Sequence, residues 1–161
     1  MGMVTEFMAY ITDIIRIGFG PRKDSKSSTN QAVSFNRLNA VIGTFPDFEI
    51  SYPLMSVSQG KLTRVKELTV AALASAKLKF TWFIDMYTSI QGSPTDDLIV
   101  LVYNPALHEF GRSVRDAKRS AGTFTMQLPQ DFSGADVHCY LFFVSATGAV
   151  SNSVHMEVTV L

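Results

Sequence analysis

The 161 residues carry fourteen basic and fourteen acidic side chains, so the formal net charge is zero, and 47% of the residues are hydrophobic. That length and apolarity support one well-buried core with room for a small appendage, while the absence of net charge removes the global attraction shown by nucleic-acid and polyanion binders. The single cysteine, Cys139, rules out an internal disulfide, so packing, hydrogen bonds and partners must hold the fold, and a reducing compartment is acceptable.

Val4, Phe7, Met8, Ile11, Ile14 and Ile15 recur at the three- and four-residue steps of one helical face, with Glu6, Asp13 and Arg16 on the other. Those charges interrupt a stretch that would otherwise resemble a targeting signal. Neither the basic start and small-residue cleavage site of a leader nor the roughly 20 apolar residues of a membrane span is present. A cytoplasmic or particle-associated location is therefore expected. Gly18, Gly20 and Pro21 stop the helix, and the polar run from Pro21 to Thr29 reads as a connecting loop. A second helix follows, capped by Ser28, Thr29 or Asn30, turning Ala32, Phe35, Leu38, Val41 and Ile42 inward and ending at Gly43. The apolar face of the first helix has no target within this short hairpin. It must meet the rest of the chain or another molecule, which makes it a candidate interaction face.

From Asp47 the period changes to that of strands. Phe48, Ile50 and Tyr52 alternate ahead of Pro53 and predict an edge strand. Leu78, Phe80 and Trp82 alternate with Lys77, Lys79 and Thr81, which predicts a strand with one buried face. Leu98 to Tyr103 is apolar throughout and predicts a central strand covered on both faces. Phe124, Met126 and Leu128 give another one-sided strand before the turn from Pro129 to Asp136. Two final strands are joined at Thr147-Gly148-Ala149, where Gly148 is expected at positive φ. If Tyr140, Phe142 and Val144 share a face with Val154, Met156 and Val158, paired residue numbers sum to an even value. The domains implied are a helical segment, 1–46, and a β-sandwich, 47–161.

The spacing of Tyr140, Phe142, Val144, Ala146 and Gly148, followed by Ser153 and an alternating strand, resembles the last hairpin of fibronectin type III and related immunoglobulin-like sandwiches. The resemblance implies a mainly β fold preceded by two short helices, with Tyr140 as the tyrosine whose hydroxyl ties a loop to the sandwich. Separated blocks, among them Ile17-Gly18-Phe19-Gly20, Asn39 to Ile50, Ser58-Gln59-Gly60-Lys61-Leu62, Leu101 to Pro105, Arg119 to Thr123 and Val137 to Tyr140, are similar in order to a Bacteroidota family defined as a domain of unknown function. Members of that family carry a Gly-rich basic segment ahead of the first helix. These residues lack it, which implies a truncated or short variant. The family contributes no known catalytic or binding residues.

His108, His138 and His155 do not fall at zinc-ligand spacings, and one cysteine cannot supply the usual sulfur ligands. His138 and Cys139 are sequence neighbours, but successive strand residues point to opposite faces and cannot act as base and nucleophile. Asp85, Asp96, Asp97, Asp131 and Asp136 lack the calcium-loop pattern, and turn formation is the simpler role. Arg112, Arg115, Lys118 and Arg119 form a candidate basic patch for phosphate or an acidic surface, set against a solvated strand edge. No phosphate loop, nucleophile elbow or dinucleotide fingerprint occurs. The reading is a non-enzymatic structural or protein-interaction module without metal or cofactor, self-associating, with a phage-like or mobile-element particle as the expected setting. The alternative is a small-ligand or carbohydrate-binding sandwich, in which Phe83, Tyr87 or Tyr103 would be exposed to stack on the ligand.

Overall fold

A computed structural model describes residues 2–20, 27–84 and 91–161. Helix α1 (Gly2–Ala9) is followed directly by α2 (Thr12–Gly18), and α3 (Ser28–Asn39) lies beyond the next connection. The single N-terminal helix of the sequence reading is thus two. The chain breaks at Ile11, in a run of β-branched residues that lose side-chain freedom in a helix. The side chain of Ser27, one residue before the expected cap, accepts the Asn30 backbone N–H at 3.1 Å and starts α3.

Helix α3 ends earlier than its apolar pattern implied. Val41 and Ile42 belong to strand β1 (Val41–Thr44), which pairs only with β2 (Asp47–Ile50) in a free-standing hairpin, and Leu38 is 85% exposed. Gly43 causes the change. It has φ +93°, and a Cβ there would lie 2.2 Å from the Asp47 carbonyl oxygen, so the tight hairpin is open only to glycine. Phe48 and Ile50 therefore form no edge of the sandwich, Tyr52 starts a turn of 3₁₀ helix (Tyr52–Leu54), and residue 46 lies in the hairpin turn.

The sandwich contains β3 (Thr69–Leu73), β4 (Lys77–Thr81), β5 (Asp97–Asn104), β6 (Glu109–Lys118), β7 (Thr123–Gln127), β8 (Asp136–Val144) and β9 (Val154–Thr159). One sheet has the order β3-β4-β7 and the other β6-β5-β8-β9, all antiparallel, which is the fibronectin type III-like arrangement. Between the sheets lie Leu78, Phe80 and Trp82 of the smaller sheet with Val100, Leu141 and Phe143 of the larger. On the opposite face of the larger sheet, Ile99, Leu101, Tyr140, Phe142 and Val144 meet the helices. The molecule is three layers, with the four-stranded sheet in the middle.

The last strands adopt a register different from the one the alternation implied. Tyr140 opposes His155 and Leu141 opposes Val154, an odd sum, whereas Val144 opposes Val150. One extra residue enters β9's side between those pairs: the Ser151 N–H still bonds the Phe143 carbonyl, but Val150 and Ser153 also bond a different segment, the Leu62 N–H to the Val150 carbonyl at 3.0 Å and the Ser153 N–H to the Ser58 carbonyl at 3.0 Å. The slip places Val154, Met156 and Val158 against the inter-sheet core rather than beside Tyr140. Gly148 has φ +88° in the turn as expected. The Tyr140 hydroxyl donates to the Tyr52 carbonyl at 2.7 Å and ties the 3₁₀ turn to β8.

Two variants check this layering. Trp82, 4% exposed and bonded through its indole N–H to the Arg119 carbonyl, should lose about 3 to 5 kcal/mol of stability as Trp82→Ala. Ile11→Asp, which buries an unpaired carboxylate between helices and sheet, should lower the melting temperature sharply. An Ile11→Asp protein with an unchanged melting temperature contradicts the helical layer.

Candidate functional site

Val4, Met8, Ile11, Ile14 and Ile15 are fully buried and Phe7 is 5% exposed, all against the protein's own sheet. This face is an inner seam in the folded chain and is not exposed to a partner. The seam is held by polar contacts as well. Buried Asn36 donates its amide to the Ser56 carbonyl at 2.8 Å and accepts the Ser56 N–H at 2.8 Å. The Ser58 hydroxyl lies between the carbonyls of Gly18 and Ser151, and the Ser153 hydroxyl accepts the Val57 N–H at 3.1 Å. A Cβ at Gly18 would meet the Val57 carbonyl at 2.0 Å, which explains glycine at that crossing.

The basic cluster does not form a patch. Arg112 pairs with Asp13 of α2 and also bonds the Tyr10 carbonyl, and Arg115 and Lys118 both bind Asp97. The Lys118 hydrogen bond is the largest of the effects that hold Asp97 below the usual carboxylate range. Arg119 is buried. Its guanidinium bonds Asp96 at 3.0 Å and the Thr63 carbonyl at 2.9 Å, and stacks 4.0 Å from the Phe143 ring centroid. Strand alternation and local acids thus divide the four cations between solvent-facing ion pairs and one core lock.

Cys139 is buried, and burial pushes its thiol up to about 12, so it is unsuited to nucleophilic work at neutral pH. Its neighbour His138 points the other way and meets a residue that spacing along the chain could not reveal: its Nδ1 lies 2.9 Å from Nε2 of His155 on β9. His138 also stacks on Tyr52, with ring centroids 4.6 Å apart. Only the strand register brings the two histidines together. Of the aromatic candidates for ligand stacking, Tyr103 is 5% exposed and Phe83 is 51% exposed. Tyr87 and Asp85 lie outside the described residues.

The exposed apolar surface lies elsewhere. Residues 42–49 of the β1–β2 hairpin are all exposed, including Ile42 at 40% and Phe45 at 87%, with Phe45 packing edge-on to Phe48 at the tip. Leu38 precedes the hairpin and Leu54, 54% exposed, follows it. An isolated two-stranded hairpin is marginal in water, and among the described residues this one is anchored at its base, where the Ser51 N–H bonds the Ala40 carbonyl at 2.7 Å and Val41 and Ile50 touch the core. Apolar side chains at the tip of an anchored projection can form a contact surface without supporting the fold.

A family model described as a family of unknown function, DUF6266, matches residues 1–157. The chain belongs to this family. No curated protein matches it. Similar solved structures are fibronectin type III domains. A two-domain segment of chicken tenascin is 11% identical, with 62% of this chain and 50% of that chain covered and a TM-score of 0.47. The domain of human collagen α-1(XX) is 14% identical, with 62% and 85% covered and a TM-score of 0.45. The fifth such domain of Drosophila Lar is 11% identical, with 60% and 92% covered and a TM-score of 0.42. The family protein thus spans half the length of the tenascin segment. Among its described residues no helix is long and apolar enough to cross a membrane.

The histidine pair predicts a pH dependence. Burial first, then the neighbouring His138, pushes His155 from 6.5 down to about 4, and burial lowers His138 against the opposing pull of Glu157 and Asp136. Because the unfolded chain binds more protons, the pair's contribution is present above pH 6.5 and is lost as the pH falls towards about 4. Urea denaturation across that window should show a shallower decline for His155→Gln than for the natural protein. Parallel curves would remove the pair from the account.

Proposed function

We propose that this protein is a non-enzymatic interaction module that associates with further copies of itself through the β1–β2 hairpin. The supporting observation is the exposed tip of Phe45 and Phe48 on a projection whose other face carries Asp47 and Glu49. The same molecule presents the complementary surface. Outward positions of β3, β4 and β7 hold threonine, alanine, leucine, glutamine and the two lysines Lys77 and Lys79, with no acid. Acidic hairpin residues opposite these lysines favour one orientation, the aromatic tip supplies desolvation, and zero net charge imposes no general repulsion between copies. A hairpin meeting a different face of its neighbour is a heterologous contact. Such contacts close into rings or run into filaments, in keeping with a structural subunit of a particle.

Light scattering on the purified protein should give a mass above that of one chain, and Phe45→Ser with Phe48→Ser should reduce it to a monomer of unchanged melting temperature. Loss of one aromatic anchor is worth about 2 kcal/mol, or roughly thirtyfold in affinity. Glu49→Lys and Lys79→Glu should each weaken association and together restore it. A natural protein that stays monomeric at every concentration, or a double variant with undiminished mass, sinks the reading.

A further inference from the structure

A cleft of about 450 Å³ opens where α1 crosses β5 and β6, beside the 3₁₀ turn that follows the hairpin. Its walls are aromatic. Phe7 meets Tyr103 edge-on with centroids 5.0 Å apart, Tyr103 stacks on Phe110 at 4.7 Å, and Tyr52 closes the inner end 5.3 Å from Tyr103. At the mouth Tyr10, 64% exposed, stacks over Phe110 at 6.5 Å. These rings do not belong to the hairpin tip, and most of them come from elements that the fold already holds rigid.

Among the described residues that line this box, Glu6 carries the carboxylate and His108 an imidazole. Glu6, exposed on α1, lines the cleft, and no lysine or arginine does. The nearest arginine of β6, Arg112, is engaged by Asp13 and the Tyr10 carbonyl. The Tyr103 hydroxyl keeps its proton, pushed up to about 12 by burial, by its contact with Tyr52 and by the Glu6 charge. It is also 3.4 Å from Nδ1 of His108. Most of these rings pack on one another, and the exposed Tyr10 ring with the Glu6 carboxylate at the rim is what suits a compact, weakly hydrated cation. The volume lies in the range of small-molecule sites.

We propose that this cleft binds a small organic cation of the alkylated ammonium class, the exposed Tyr10 ring contacting its methyl groups and Glu6 neutralising its charge. The probe is choline, compared with 3,3-dimethyl-1-butanol, which has the same shape and no charge, and with glucose. Chemical-shift changes on the cleft aromatic protons should saturate with choline, at an affinity about tenfold or more above that of the neutral alcohol. Glucose should produce none. Glu6→Gln and Tyr10→Ala alter exposed side chains, so both proteins should fold as the natural one does, and each should weaken choline binding about tenfold. Equal affinity for choline and the alcohol, saturable shifts with glucose, unchanged binding in both variants, or no response to choline would each overturn the assignment.

Discussion

The central strands of the larger sheet, β5 and β8, are apolar on both faces, and much of the molecule's architecture follows from the need to cover them. Alternate residues of β5 and β8 point in opposite directions, so Val100 and Leu141 enter one core while Leu101 and Tyr140 enter another. A two-sheet sandwich covers only one of these. Burying a large apolar side chain contributes about 1.5 to 3 kcal/mol, so five or more such residues left wet on the second face would leave the sheet unstable. The helices α1 and α2 act as this missing layer, and their six apolar residues are consumed in doing so.

Covering the sheet also explains how the final strands tolerate a register that an ordinary sandwich would reject. A one-residue slip normally turns an apolar set towards water. Here residues 137–144 of β8 are buried, so the register is set instead by hydrogen bonding at residues 150–153, where Val150 and Ser151 still pair with β8 while Val150 and Ser153 also bond the segment of Ser58 to Leu62. That segment passes between the helices and the sandwich, and Asn36 and Ser56 supply partners for its buried backbone. The same polar seam that fixes the helices therefore fixes the strand pairing, and through it the meeting of His138 with His155.

With the seam closed and the basic residues of β6 engaged by neighbouring carboxylates, two features stand out on the surface of the described residues. One is a projecting hairpin whose aromatic tip supports nothing inside the fold. The other is a ring-lined recess at the junction of helix and sheet. They differ in form: the tip is an exposed aromatic pair, and the recess is a cleft between helix and sheet. Arg119 illustrates how the remaining charge is used internally, since its guanidinium joins Asp96, Thr63 and Phe143 in one buried lock.

Local chemistry was enough to place the strands observed at Lys77–Thr81 and Asp97–Asn104, the buried Trp82, the glycine turn at 148 and the separation of Cys139 from His138. Each depends on side-chain alternation or on a single residue's backbone freedom, both of which act within a few positions. The same rules misplaced Val41 and Ile42, whose helical spacing was overridden by Gly43 and the hairpin it permits. The apolar stripe from Val4 to Ile15 was legible as a surface needing cover, but amphipathicity does not name the surface that covers it. Tertiary structure decided that the cover is the chain's own sheet, that four nearby cations are shared between Asp13 of α2 and the acids Asp96 and Asp97 at the start of the neighbouring strand, and that Glu6 lies beside rings contributed by α1, β5 and β6. Such arrangements depend on which elements are neighbours in space, and the physical forces that select neighbours are summed over the whole core rather than written at any one position.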